Sequence, residues 1–114
     1  MGDSSILDTI KEMVLGNAED DSFDTDITVL INNAFSKLIS RGVGPATGFS
    51  IADSTSTWDQ FLPEQPQLIP ILQTYVYADV RVGFDVSASS VVRDVMKQIA
   101  DENSWRLQIE LDKT

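Results

Sequence analysis

The run DTDITVLINNAFSKLISRG, residues 24–42, decides the fold class. Ile27, Leu30, Ile31, Ala34, Phe35, Leu38 and Ile39 recur every three or four positions. That spacing gathers them on one face of a helix and scatters them over both faces of a strand. Asp24 stands where an N-cap is expected. Arg41 in the last turn suits the negative end of the helix dipole, and Gly42 follows where a left-handed cap favours a residue without a Cβ.

The same reading extends outward. Upstream, Ile6, Leu7, Ile10, Met13 and Val14 form one helical stripe within residues 4–15. Ser4 or Ser5 is positioned to cap it, and Gly16-Asn17 stops it. Glu19 to Asp26 holds five acids in eight positions, with Phe23 among them. Downstream, residues 41–56 are broken by Gly42, Gly44, Pro45 and Gly48, and the alternation of Phe49 and Ile51 leaves room for a short strand or hairpin. Thr57 is placed to cap a short turn carrying Trp58 and Phe61. A third helix is expected from near Leu68 to Gly83, with Pro70 tolerated in its first turn. Its stripe is Leu68, Ile71, Leu72, Tyr75, Val76 and Val82. After a break at Asp85–Ser89, a fourth helix begins near Ser89 or Ser90 with Val91, Val92, Val95, Met96 and Ile99.

The tail reads differently. Trp105, Leu107, Ile109 and Leu111 alternate with Arg106, Gln108 and Glu110, and a period of two predicts a strand. A lone strand cannot satisfy its own hydrogen bonds, so this segment must pair with the Phe49–Ile51 region or with another chain. The expected fold is therefore mainly α. It is a small bundle of about four helices with a long Gly/Pro-broken loop and an extended C-terminal tail. Residues 1–104 make the helical domain, and residues 105–114 make a docking tail.

Composition narrows the chemistry. The chain has 114 residues, 18 acids, 8 bases, no His and no Cys, for a net charge of −10. That length fits one domain. Without Cys there is no disulfide framework and no thiolate metal site or nucleophile. Without His, a Ser or Thr nucleophile lacks its usual base. Residues 1–36 carry eight acids against Lys11 alone, a local net of −7. Such a surface repels phosphate, so nonspecific nucleic-acid or anionic-membrane binding is not expected. No apolar run approaches ~18 residues, so no membrane span is expected. The first residues lack the basic-then-apolar order of a secretion signal, so a cytoplasm, or a particle assembled there, is the expected compartment.

Motif readings are few. Asp20, Ser22 and Asp24 have the 1-3-5 spacing of a calcium loop, but Thr25 stands where Gly is needed and Ile31 where Glu is needed. The glycines at 42, 44 and 48 are not followed by Lys-Ser/Thr, and backbone punctuation explains them. Asp79, on the apolar face of the third helix and two residues before Arg81, is expected in an ion pair. Tyr75 and Tyr77 cannot share a helix face, so one belongs to the core and the other, Tyr77, points outward or to a neighbour. Trp58 and Trp105 each either cap the bundle or anchor a partner. No catalytic residue, cofactor or metal site is predicted.

In order and spacing, Phe23-Asp24-Thr25-Asp26-Ile27, Gly42-Val43-Gly44-Pro45, Phe49-Ser50-Ile51 and Thr57-Trp58-Asp59-Gln60-Phe61 resemble one family. So do Thr74 to Asp85 and Ser104-Trp105-Arg106-Leu107. It is the head–tail connector (adaptor or head-completion) proteins of long-tailed double-stranded-DNA bacteriophages. The resemblance covers roughly Ser5 to Ile109 and departs at Val86-Ser87, where prolines are expected, and at Pro70. It implies a mostly helical, non-enzymatic virion protein that forms a ring of about twelve copies. That ring sits beneath the portal protein at the head–tail junction and extends the DNA channel. It also offers a docking surface to neck or tail-completion proteins, after a spell in the host cytoplasm. Candidate partner residues are Trp58, Phe61, Tyr77, Arg81, Trp105, Arg106, Leu107, Ile109 and Leu111. Candidate channel residues are Glu19, Asp20, Asp21 and Asp24, past which double-stranded DNA would move without specific binding. A rival reading is a small acidic phage protein that mimics DNA and inhibits a host DNA-binding enzyme; a third is an enzyme using carboxylates and magnesium. A mimic needs acids spaced along an extended face, whereas here they cluster near the start.

Overall fold

A computed structural model describes residues 3–84 and 89–112. Four α-helices carry it: α1 (Ile6–Leu15), α2 (Asp24–Ser40), α3 (Ile69–Phe84) and α4 (Ser90–Asp112). Short 3₁₀ turns at Trp58–Gln60 and Pro66–Leu68 lie between α2 and α3. Among the described residues there is no strand, only one isolated antiparallel bridge between Ser5 and Thr57. Residues 85–88 of the expected break at Asp85–Ser89 lie outside the described residues, with them the Val86-Ser87 departure, as do Lys113 and Thr114 at the end of the expected tail.

Local chemistry sets the helix ends. Ser5 caps α1, its Oγ accepting from the Asp8 N–H at 3.2 Å. Arg41 caps α2 and is followed by Gly42 at φ +84°. There the Gly42 N–H donates to the Ile39 carbonyl and the Val43 N–H to that of Leu38. This paired closure helps satisfy the carbonyls of the last turn, and Val43 is buried just beyond it. Asp24, expected as the N-cap of α2, is instead its first helical residue, with Phe23 at the cap and no side-chain cap bond. Its carboxylate turns to Lys11, which competes successfully for it.

The core gathers Ile6 and Ile10 of α1, Ile27, Ile31, Phe35 and Leu38 of α2, and Leu72, Tyr75, Val76 and Val80 of α3. α3 is the central element, packing on α1, α2 and α4. An aromatic group closes one end. Phe35 meets Phe61 at 4.6 Å and Phe49 at 5.0 Å between ring centroids, and Trp58 lies 6.3 Å from Phe35. The Trp58 indole N–H donates to Thr9 Oγ1 at 3.2 Å, so its one polar atom is satisfied.

The hairpin for which Phe49–Ile51 left room does not form. Asn32 supplies the bonds that a strand partner would have supplied. Its Nδ2 donates to the Ile51 carbonyl at 3.0 Å, and its Oδ1 accepts from the Ile51 N–H at 2.7 Å. A side-chain amide thus replaces a peptide of a neighbouring strand.

The extended tail is corrected: residues 105–112 continue α4, and the boundary placed before Trp105 falls inside that helix. α4 turns Ala100, Asn103, Ser104 and Leu107 to the core, a helical spacing. The Asn103 amide donates to the Ile99 carbonyl at 2.8 Å, and Arg41, the C-cap of α2, donates to Ser104 Oγ. Arg, Leu, Gln and Glu are good helix formers, and adding them to a helix already nucleated costs far less than starting a strand without a partner.

Candidate partner and channel surfaces

The acidic stretch forms a built turn between α1 and α2. Asn17 Oδ1 accepts from the Glu19 N–H, and Asp20 Oδ1 accepts from the Ser22 N–H, each at 3.0 Å. Bonds from the Ser22 backbone and side chain hold the Asp20 carboxyl below its ordinary pKa. Beneath the turn lies Lys11, a residue the sequence reading did not single out. It is only 2% exposed, and its Nζ reaches Asp24 at 2.8 Å and Asp21 at 3.0 Å. Its position was legible four residues after Leu7, which sets it on the apolar stripe of α1. The turn borders an open cleft of about 400 Å³ that also carries Asp8 and Asp53. Of the channel candidates, Glu19 is exposed, Asp20 and Asp24 are half-buried, and Asp21 is 82% exposed despite its bond to Lys11.

Lys11 and a core tyrosine give one pH prediction. Asp24, bonded to the Lys11 ammonium, and then Asp21 outweigh burial and raise its pKa above 10.5. Burial, with Asp79 nearby, pushes the Tyr75 phenol up to about 12. In both cases the folded state favours the protonated form. Stability is therefore fully present below the unfolded values of 10.5 and 10.0 and falls as pH rises through the folded ones. Urea midpoints measured from roughly pH 8 to 12 should be level and then drop above about pH 10. Tyr75→Phe should flatten that drop. A midpoint that rises above pH 10 would contradict the assignment.

The partner candidates divide. Trp58 and Leu107 are fully buried, which corrects their assignment to a partner surface: they are core residues; Phe61, also a core residue at 1% exposure, meets the surface only as a wall of an open cleft. Tyr75 is the core tyrosine and Tyr77 the half-buried one, its hydroxyl accepting from Arg81 at 2.8 Å, with the guanidinium 5.8 Å from the ring centre. Asp79 forms an intrachain ion pair, with Lys37 at 3.0 Å rather than with Arg81. Ile109 and Leu111 are half-buried. Arg106 is exposed, and Trp105 is 64% exposed.

The structure adds residues the sequence reading had placed inward. Val91, 70% exposed, and Val92 and Val95 with it, face outward rather than forming the core stripe of α4. Val91, Val95, Gln98, Glu102, Trp105 and Ile109 follow a four-three spacing, which sets them on one helix face. The side of α4 turned away from α3 is thus a second, partly apolar stripe. Among the described residues no group of three or more His, Cys, Asp or Glu is placed to hold a metal ion. No helix among them is long and apolar enough to cross a membrane.

Comparison with known proteins gives one finding. The family model for the phage connector protein matches residues 6–114. No curated protein and no solved structure matches the chain.

Proposed function

We propose a ring-forming role at the head–tail junction from one premise: the chain belongs to the phage connector protein family. Membership makes it a structural component of the bacteriophage virion, in a family that is not typically enzymatic. The finer reading is that copies close into a ring of about twelve beneath the portal, extend its channel and offer a platform to neck or tail-completion proteins. The observation that carries this is the outward stripe of α4. Val91 and Trp105 are the two most exposed large apolar side chains of the described chain. A helix apolar on the face opposite its own core is suited to burial by a further chain.

The acidic turn fits the channel in this reading. Glu19, Asp20, Asp21 and Asp24 present negative charge at fixed positions, because Lys11 anchors the turn from below. Duplex DNA moving past such a wall is repelled rather than held. The DNA-mimic alternative needs acids spaced along an extended surface, and here eight of the 18 fall within residues 1–36 and the rest are thinly spread.

Imaging of virions carrying a label fused to this chain tests the reading. The label should form a ring at the vertex between head and tail, with the 19–24 turn facing the axis. Virions without the label at that vertex would end the proposal.

A further inference from the structure

A second open cleft shares no lining residue with the one beside the acidic turn. It is about 380 Å³ and is bounded by Gly44 and Pro45 of the loop after α2, by Phe61 and Pro63, and by Leu111 of α4, with Glu64 at its edge. Its walls are mostly apolar or backbone. One is fixed, because the Phe61 ring is packed so closely on Gly44 that a Cβ there would lie 2.3 Å from Cζ. The cleft therefore has a definite shape.

The chain also carries an aromatic ring without a partner. Among the described residues Trp105 has no ring contact and no hydrogen bond from its indole, and it is 64% exposed. It cannot fill its own chain's cleft. Leu107 faces the core and Leu111 lies one turn on along the same side, whereas Trp105 stands about 160° around the helix from Leu107. The knob and the hole thus point away from one another on a single molecule.

Charge pairs the same two surfaces. Arg106, beside Trp105, is exposed and has no ion pair among the described residues. Glu64, at the cleft edge, is likewise exposed and unpaired there. We propose that Trp105 of one copy seats in the Gly44–Phe61–Leu111 cleft of the next, with Arg106 facing Glu64 across the rim. An apolar anchor in a pocket with a charged rim is the usual build of an interface hot spot. Two different patches on one chain make a head-to-tail contact, which closes into a ring when the rotation allows. This rests on the ring reading above and names the surfaces that would build it.

The chain has no cysteine, so a cysteine pair is a clean probe. Virions are prepared with Glu64→Cys and Arg106→Cys in the same chain and treated with a short bis-maleimide cross-linker. A ladder of covalent connector multimers is expected on denaturing gels, and virions co-assembled from the two single variants should give dimers only. Each single variant alone should give none. Connector present at the neck but recovered only as monomer would overturn the contact and leave the ring reading intact. Capture of Arg106→Cys by a different virion protein, such as the portal, would also overturn it. Absence of the chain from the neck would remove the ring reading and this contact together. Charge exchange supplies a second readout should the cysteine pair not assemble. Arg106→Glu or Glu64→Arg alone should lower connector copies per virion by about tenfold, and the two combined should restore them. No restoration would count against the pairing.

Discussion

Trp58→Ala is expected to lower the unfolding free energy by about 3–5 kcal/mol, the largest effect of any single truncation in this chain. Trp58 is fully buried and heads the ranking of enclosed side chains by volume. Its ring lies against Phe35, and its N–H donates to the Thr9 hydroxyl of α1, so the substitution empties a large space and removes that hydrogen bond. Domains of this size are stable by only about 5–15 kcal/mol, so the variant should sit near the threshold of folding. A fall in the urea midpoint at unchanged slope measures it. Trp105→Ala is the internal control. That indole is in solvent, and its loss should shift stability by no more than about 0.5 kcal/mol. The chain has two tryptophans, so in each variant the surviving one reports its own environment. Equal midpoints for the two variants would contradict the division into core and surface tryptophan.

That division was not legible from the sequence, and the reason is physical. Trp58 lies in a short turn that sets no period, and Trp105 opens an alternation that does not say which of its two faces is buried, so burial is decided by contacts distant in sequence. The α1 and α2 helices were legible because their apolar residues and end signals agree. Gly42 closes α2 by the geometry its position suggested. Asn32 was opaque, since its clamp on Ile51 spans 19 residues and uses an amide any helix surface could carry. The tail misled for a more general reason. On a helix, residues two apart lie about 200° from each other. Trp105 and Ile109 therefore share the outward face, and Leu107 and Leu111 share the inward one. A helix with apolar residues on two opposite faces prints the same alternation as a strand. What read as a strand seeking a partner was a helix with one face on α3 and the other open.

This changes how the C-terminal segment should be probed. Removing residues 105–114 would delete Leu107, which is fully buried, and so would damage the bundle along with any docking surface. Substitutions confined to Trp105 and Arg106 separate the two. The chemistry of the candidate surfaces was only half visible beforehand. Trp105, Arg106 and the acidic turn were singled out by residue type, whereas the cleft was not, because its walls come from the 42–45 loop, the 60–65 segment and α4.

Gly44→Ala is expected to cost about 2–4 kcal/mol, combining backbone strain with a clash. Gly44 has φ +98°, a conformation open to glycine and strained for any residue with a Cβ. The added methyl would also meet Phe61 Cζ at 2.3 Å and Cε1 at 2.6 Å. Phe61 cannot step aside freely, because its ring packs on Phe35 at 4.6 Å and on Phe49 at 5.3 Å. Gly48→Ala isolates the first component. Gly48 has nearly the same φ, +99°, but nothing within 4 Å of an added Cβ, so its cost should be about 1 kcal/mol. Urea midpoints of the two variants then give the steric share by difference. A large gap means that the aromatic group holds Phe61 rigidly, so the wall of the proposed Trp105 cleft is preformed. If the two alanines cost the same, the ring yields, and a neighbour's indole would have to shape the cleft as it enters.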